Sequence, residues 1–162
     1  MTIEDATAAE VRPLRHLVLR PGRPIETTFI PRDDDAATWH LAARDGERLV
    51  GVVTFFPDNS DRVTPAPSER FRWMAVHPAW QGRGVGRALL HEAAVRLQAR
   101  GVPTMWAHGR DSAQGFYERY GFTVLGDGFI DPETGISHHI IRADVTRVIG
   151  LTAPELLTEG AT

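Results

Sequence analysis

Residues 81–86 read Gln81-Gly82-Arg83-Gly84-Val85-Gly86 and carry three glycines in six positions. They follow an extended apolar stretch, residues 71–76, and precede an amphipathic run that reaches Arg100. Glycine lets backbone N–H groups come close to a ligand, and the start of a helix favours negative charge. The sequence therefore predicts a phosphate-binding loop between a strand and a helix.

The spacing of these glycines separates three kinds of phosphate loop. A dinucleotide loop needs G-x-G-x-x-G and an acidic residue about twenty positions later. Here the glycines follow G-x-G-x-G, and about twenty residues past Gly86 stands Thr104-Met105-Trp106, which has no carboxylate. A Walker A loop needs a lysine that this chain lacks. The pattern that fits is Q-x-x-G-x-G, beginning at Gln81.

Two further segments accompany the loop in a fixed order. Residues 113–122, Ala113-Gln114-Gly115-Phe116-Tyr117-Glu118-Arg119-Tyr120-Gly121-Phe122, match A-x-x-x-Y-x-x-x-G-F, and Val76-His77-Pro78 precedes the glycines. With these motifs the chain resembles the GCN5-related N-acetyltransferases of the small single-domain bacterial type. The resemblance covers Glu69 to Leu125. It implies a mixed central sheet of six or seven strands, flanked by helices and splayed open at its middle.

The local patterns predict the same α/β class independently. Thr7 and Glu10 form a capping box for a first helix that ends before Pro21, with Pro13 in its first turn. The proline-bearing segment from there to residue 38 is expected to be a lid on the substrate side. A hairpin follows, with its turn at Asp45-Gly46.

The second half alternates strands and helices. Residues 69–76 form the central strand, with Phe71, Trp73 and Ala75 on one face and Arg72, Met74 and Val76 on the other. The predicted elements that follow are a helix over 85–100, a strand over 103–108, a helix over 112–120, and strands over 122–125 and 137–143.

Composition excludes several classes of protein. The 162 residues are expected to form one domain, 1–162, and 42% of them are hydrophobic. A net charge of −3 gives no broad basic surface for nucleic acid or membrane. The absence of cysteine excludes disulfides, thiolate metal sites and an acyl-cysteine route, and no metal is expected. A cytoplasmic location is expected, and residues 148–162 are expected to be frayed in part.

The resemblance implies acetyl-CoA as the acetyl donor. Its diphosphate would meet backbone N–H groups of the loop, and arginine side chains would add positive charge. The backbone of the central strand would hold the pantetheine amides, and one N–H would polarise the thioester carbonyl. The implied cofactor-binding residues are Met74, Ala75, Val76, Gln81, Gly82, Arg83, Gly84, Val85, Gly86, Arg87, Arg110 and Phe116.

The resemblance also implies a role for Tyr117, and it sets Arg110 apart from the other cofactor-binding residues. Tyr117 occupies the family's position for protonating the leaving thiolate, whereas Tyr120 is out of register. A phenol pKa near ~10 suits an acid for a thiol of pKa near ~8.5. Arg110 stands where many relatives carry an asparagine that contacts coenzyme A. An arginine there would reach a phosphate or the adenosine end instead.

The residue that deprotonates the amine is less clearly marked. An alkylammonium of pKa near ~10 leaves about one molecule in a thousand nucleophilic at pH 7, so a base or a water chain is required. The candidates are Glu69 at the start of the central strand, Glu26 in the lid, and His138 and His139 on opposite faces of the last strand.

These features together predict an N-acetyltransferase. The expected reaction transfers acetyl from acetyl-CoA to a primary amine of a small molecule by direct attack in a ternary complex. Two alternatives stay open: a non-catalytic acetyl-CoA sensor, and acetylation of a protein N-terminus or lysine. Members of the family are often dimers, so a homodimer is compatible with the resemblance.

Overall fold

Seven strands form one mixed sheet in the order β1-β2-β3-β4-β5-β7-β6. The computed structural model describes residues 1–154. The strands are β1 (Thr2–Ala6), β2 (Trp39–Asp45), β3 (Arg48–Pro57), β4 (Ser68–Val76), β5 (Thr104–Arg110), β6 (Thr123–Ile130) and β7 (Ser137–Asp144), and the helices are α1 (Ala8–Leu19), α2 (Val85–Ala99), α3 (Gln114–Arg119) and α4 (Val145–Thr152). This confirms the predicted α/β class with its mixed sheet.

The first helix begins where the capping box predicts. Thr7 accepts from the N–H of Glu10, and the Glu10 carboxylate accepts from the N–H of Thr7. The position predicted for Pro13 is wrong, because it is the sixth residue of α1 and not part of the first turn. A proline there removes the N–H that would bond to Ala9, and Ala9 is exposed, so water can satisfy its carbonyl.

Helices cover both faces of the sheet. The larger core lies between the sheet and α2, α3 and α4, and includes Phe55, Phe71 and Leu89. A smaller core lies on the opposite face, where Val11 and Leu14 of α1 pack with the sheet. The two cores fix α2 and α1 on opposite sides of β4, the strand that precedes the glycine loop.

Strands β4 and β5 separate after a short contact. They are parallel and paired only over Ser68–Thr104, Glu69–Met105 and Arg70–Trp106. Within the part of the chain that the structure describes, residues 71–76 therefore have no strand partner on the β5 side. This is the predicted splay, and it leaves backbone N–H and C=O groups of β4 free to bind a ligand.

A bulge at Trp73 changes which face the β4 side chains occupy. Trp73 has φ 59°, and the register with β3 shifts between Val52 and Thr54. The predicted single face for Phe71 and Ala75 is therefore wrong, since Phe71 packs in the larger core and Ala75 in the smaller one. A bulge adds one residue to a strand and so reverses the alternation beyond it.

The segment between α1 and β2 is less irregular than predicted. It contains two short 3₁₀ turns, Ile25–Thr28 and Pro31–Asp34. The fully buried guanidinium of Arg15 donates to both carboxylate oxygens of Asp33, to the carbonyl of Thr28 and to the hydroxyl of Thr54. One buried arginine thus fastens this segment to α1 and to the sheet.

The structure differs from the prediction at both ends of the chain, and the last residues lie outside the described part. The first strand, β1, was missed, because Thr2–Ala6 is an edge strand with little apolar alternation. The prediction that the chain frays from residue 148 is wrong for residues 148–152. These residues belong to α4, and Val148 and Thr152 are buried there. The rest of the predicted frayed tail, residues 155–162, lies outside the described residues.

Candidate active site

The glycine loop forms an exposed bend in front of α2. Gly82 has φ 74° and Gly84, the residue that caps α2, has φ 83°. Both positions favour glycine, and a Cβ built on either would meet nothing within 4 Å. Gly84 has no side chain to accept from the first N–H groups of the helix, and the first helical bond runs from Ala88 back to Gly84. The N–H groups of the helix before Ala88 therefore have no partner within the helix, and they lie at its positive end.

The side chains of the loop do not all behave as the sequence predicts. Arg83 lies over the Trp80 ring at 4.3 Å and remains close to the loop. The Arg87 side chain turns away, since its Nε donates to the carbonyl of Thr152 at 3.0 Å and its Nη2 donates to that of Ala153. These carbonyls end α4 and attract a cation. Only the backbone of Arg87 is left for the predicted phosphate contact.

The start of α2 packs closely against β4 and α3. A Cβ on Gly86 would lie 2.9 Å from the Phe116 ring and 3.8 Å from the Met74 sulfur. Gln81 donates to the carbonyl of Val76 at 3.4 Å, which ties the loop to the end of β4. The loop, the free edge of β4 and the tyrosine-bearing helix are therefore neighbours.

A cavity of about 230 Å³ opens where β4 and β5 diverge. Tyr117 lines it together with Phe71 and Met74 of β4. The Tyr117 ring is fixed by Phe71 at 5.8 Å, Phe122 at 5.4 Å and Phe116 at 5.2 Å between ring centroids. Its hydroxyl forms no hydrogen bond with any residue that the structure describes. Burial raises the pKa of Tyr117, and the positive charge of Arg110 opposes this only in part, so the phenol keeps its proton at neutral pH.

Arginines dominate the rest of this cavity. Arg20, Arg72 and Arg110 all line it. Among residues 1–154 none of the three forms an ion pair with a carboxylate. Burial lowers the pKa of both Arg20 and Arg72. Their guanidinium groups lie over the Trp73 ring at 4.7 Å and 5.6 Å. The bulge thus brings an aromatic ring beneath two cations, which it stabilises.

Two histidines of the cavity are held in different tautomers. Nδ1 of His138 lies 2.8 Å from the carbonyl of Ile136, so that nitrogen must donate and Nε2 keeps the lone pair. Nδ1 of His108 lies 3.0 Å from Nη2 of Arg70, which can only donate, so neutral His108 carries its proton on Nε2. Partial burial, and then the charge of Arg70, lower the pKa of His108. His138 can therefore accept a proton, whereas His108 offers an N–H donor.

The other predicted bases occupy different places. Glu69 is buried away from the cavity lining, where it accepts from the Trp39 indole at 2.9 Å and lies 3.9 Å from Arg100. Burial raises its pKa. Glu26 lines a neighbouring cavity of about 550 Å³. His139 forms a hydrogen bond with Asp111 at 2.7 Å and does not line the first cavity. Of the four predicted bases, His138 alone therefore lines the same cavity as Tyr117.

The turn between β6 and β7 supplies a carboxylate that the sequence analysis missed. Asp131 lines the first cavity, and its Oδ1 accepts from the N–H groups of Glu133 at 2.8 Å and Thr134 at 3.2 Å. Burial alone would raise the pKa of Asp131, but these backbone hydrogen bonds outweigh it and hold the pKa below its usual value. Asp131 is therefore ionised and fixed in position at neutral pH.

The arginines Arg20 and Arg72 were also missed. The available signal was the presence of Arg70 and Arg72 within a central strand, where buried apolar residues are the rule.

Among the described residues, no three His, Cys, Asp or Glu side chains gather as metal ligands would. None of the described helices has the length and apolar character needed to cross a membrane.

Comparison with known proteins agrees with this geometry. The family model of the acetyltransferase (GNAT) domain matches residues 35–124. The uncharacterized N-acetyltransferase YitI of Bacillus subtilis is 27% identical over 147 residues, which cover 91% of this chain and 97% of YitI. The mycothiol acetyltransferase of Rhodococcus opacus is 37% identical over 86 residues, which cover 52% of this chain but 25% of that protein. An aminoglycoside 6'-N-acetyltransferase complexed with coenzyme A has the same fold, with a TM-score of 0.71 at 12% identity, covering 90% of this chain and 97% of that one.

Proposed function

Because this chain belongs to the acetyltransferase (GNAT) domain family, we propose that it transfers an acetyl group from acetyl-CoA to the primary amine of a small molecule, by direct attack in a ternary complex. The observation that carries the proposal is the place of Tyr117. Its side chain lines the cavity where β4 leaves β5, next to the exposed glycine loop. An acid at that place meets the leaving sulfur of a thioester held along β4.

The loop is suited to bind the diphosphate of acetyl-CoA. Unbonded N–H groups at the start of α2 and the open space at Gly82 and Gly84 form an anion site. Arg83 adds a side-chain charge beside it. The backbone of Met74, Ala75 and Val76, on the free edge of β4, is available for the pantetheine amides. We assign coenzyme A to this path.

Proton transfer is divided between two cavity residues. His138 takes a proton from the substrate ammonium at Nε2, directly or through one water, because Nδ1 is occupied by the Ile136 carbonyl. The free amine attacks the acetyl carbonyl, and the C–S bond breaks. Tyr117 gives its proton to the departing thiolate, since its raised pKa keeps it protonated. Solvent then returns a proton to Tyr117.

The direct test is release of free thiol from acetyl-CoA with a panel of amines. Turnover on any small amine excludes a pure sensor, and faster turnover on peptide N-termini would replace the small-molecule assignment. Calorimetry tests the loop separately. Gly84→Ala is expected to weaken acetyl-CoA binding. Gly22→Ala is the control, because Gly22 lies outside the loop, has φ 74° and has nothing within 4 Å of a built Cβ. It introduces the same kind of backbone strain and is expected to leave binding unchanged. Equal affinities of the two variants would refute the assignment of the loop.

A further inference from the structure

We propose that the acceptor is an amino acid or a close analogue, an amine that carries a carboxylate on the neighbouring carbon. This inference rests on the proposed acetyl transfer and names its substrate class. The structure assigns the substrate carboxylate to the guanidinium groups of Arg72 and Arg110, and Arg20 lines the same cavity. It assigns the substrate ammonium to Asp131 and His138.

The cavity carries an excess of positive charge. Arg20, Arg72 and Arg110 line about 230 Å³ of space. Each of them lacks a carboxylate partner among the described residues, although eight other arginines form ion pairs, those at 12, 15, 32, 44, 70, 96, 100 and 142. Burial disfavours the charges of Arg20 and Arg72, and Arg110 repels Arg20, while the carboxylates of Asp131 and Glu133 offset these costs only in part. A bound anion removes both penalties, and a carboxylate matches the paired N–H geometry of arginine.

A strained backbone conformation places Arg72. Trp73, the next residue, has φ 59°, a conformation that bulky side chains rarely adopt. The strain places the indole beneath Arg20 at 4.7 Å and Arg72 at 5.6 Å. Such conformations cluster at ligand sites, where the surrounding structure enforces them. The ring holds two cations together before a ligand arrives.

The same cavity also contains groups that can bind an ammonium. Asp131 is fixed as an anion by two backbone N–H groups, and His138 keeps a lone pair at Nε2. Both line the cavity with the arginines. Cationic and anionic groups within one small space match a zwitterion and not a simple amine, which the arginines would repel.

Space for a side chain adjoins this site. The cavity of about 550 Å³ shares Arg20, Arg72 and Trp73 with the first one. Phe29 and Ile30 of the segment fastened by Arg15 form its apolar wall. An amino acid bound by its charged groups in the first cavity can extend its side chain into the second.

The reaction then converts an amino acid into its N-acetyl derivative. The ammonium loses one proton to His138, and the amine nitrogen bonds to the acetyl carbon. The C–S bond breaks, the thiolate takes the proton of Tyr117, and the amide nitrogen releases its second proton to solvent. His138 then passes its proton to solvent, and solvent restores the proton of Tyr117, so the products are N-acetyl amino acid, free coenzyme A and one net proton. The carboxylate stays on the arginines throughout and takes no part in the bond changes.

The test compares each L-amino acid with its carboxamide, which has the same size but no negative charge. The amide has the more easily deprotonated amine, because it lacks the nearby charge that favours the ammonium. At neutral pH a larger fraction of the amide is free amine, so a preference for the acid cannot come from the amount of free amine. We expect the best amino acid to exceed its carboxamide at least about 10-fold in kcat/KM, as charge-assisted hydrogen bonds predict. A carboxamide or decarboxylated amine that is used equally well or better would overturn the proposal.

Variants connect the preference to the arginines. Arg72→Gln is expected to lower kcat/KM for the amino acid about 10- to 100-fold, mainly through KM, while the value for the carboxamide changes less than about twofold. Arg110→Gln is a second variant with the same expectation. Arg62→Gln removes an exposed charge outside both cavity linings and serves as the matched control. A rise in KM for acetyl-CoA in place of the amino acid would show that the arginines serve the cofactor.

Binding measurements let this inference and the proposed function fail separately. Acetyl-CoA is titrated into the protein first, and loss of that binding would contradict the proposed function alone. L-amino acids are then titrated into the protein with and without coenzyme A. Binding that Arg72→Gln abolishes and Arg62→Gln keeps supports the inference even without turnover. No binding at millimolar concentration in either state, together with no turnover, overturns it.

Discussion

Replacing Tyr117 with phenylalanine removes one oxygen and leaves the aromatic packing intact. The ring contacts Phe71, Phe116 and Phe122, and phenylalanine can make all of these contacts. The hydroxyl has no hydrogen-bond partner among residues 1–154, so its removal leaves no protein group unsatisfied. The free energy of unfolding is therefore expected to change by less than about 0.5 kcal/mol.

The rate of acetyl transfer responds differently. A thiolate of pKa near ~8.5 is a fair leaving group by itself, so the loss lies at or below the low end of the ~10²–10⁴ range for general acids. We expect kcat to fall about 10- to 100-fold, which corresponds to about 1.4 to 2.7 kcal/mol of barrier. Because burial raises the pKa of Tyr117, its proton is present throughout pH 6 to 9, and the ratio of wild-type to variant kcat stays constant across that range.

The assay measures thiol release under saturating acetyl-CoA, with urea unfolding of the same preparations. Tyr120→Phe is the matched control, since Tyr120 contacts Phe116 at 5.1 Å and does not line the cavity. A Tyr117→Phe protein with unchanged kcat, or one whose loss of rate accompanies an equal loss in Tyr120→Phe, would refute the general-acid assignment.

Three further predictions concern stability. Asp33→Asn leaves the Arg15 guanidinium buried without its anion and is expected to cost about 3 to 5 kcal/mol in urea unfolding, against little for exposed Asp34→Asn. Burial would raise the pKa of Asp33, but Arg15 holds it below its usual value. The stabilisation is thus present above about pH 4 and is lost as pH falls through the lowered pKa, so the difference between wild type and Asp33→Asn shrinks at acid pH; a constant difference would contradict this. Gly51→Ala places a Cβ 2.5 Å from a side-chain carbon of α2 and is expected to cost about 1 to 3 kcal/mol, whereas Gly150→Ala, inside α4 with nothing within 4 Å, is expected to gain up to about 1 kcal/mol.

Features with a local cause were predictable from the sequence. The turn at Asp45-Gly46, the capping box at Thr7 and the glycine loop each depend on residues a few positions apart, and each appears where predicted. The place of Tyr117 beside the splay also followed, because its motif fixes the distance from the loop along the chain. The class of sheet followed from the alternation of strands and helices.

Features with a distant cause were not predictable. The Trp73 bulge arises from the register of β4 against β3, and the Arg15–Asp33 pair joins α1 to a turn that has no regular pattern. Arg87 reaches the end of α4, sixty-five residues away in sequence, because the fold brings free carbonyls beside it. The charged lining of the cavity was missed for the same reason, since a strand's arginines show their partners only after the strands are assembled.

Under the proposed function, the bulge in β4 lets one strand contact two molecules, the acceptor before it and the donor beyond it. Before it, Arg70 and Arg72 send their side chains into the acceptor cavity; beyond it, Met74 approaches the first turn of α2 while the main chain remains free for the donor. Under the proposed function, donor recognition depends on backbone atoms that every residue type supplies, and acceptor recognition depends on exchangeable side chains. On this proposal, a lineage acquires new acceptors by substituting cavity side chains such as Arg72 and Arg110, while its use of the donor persists.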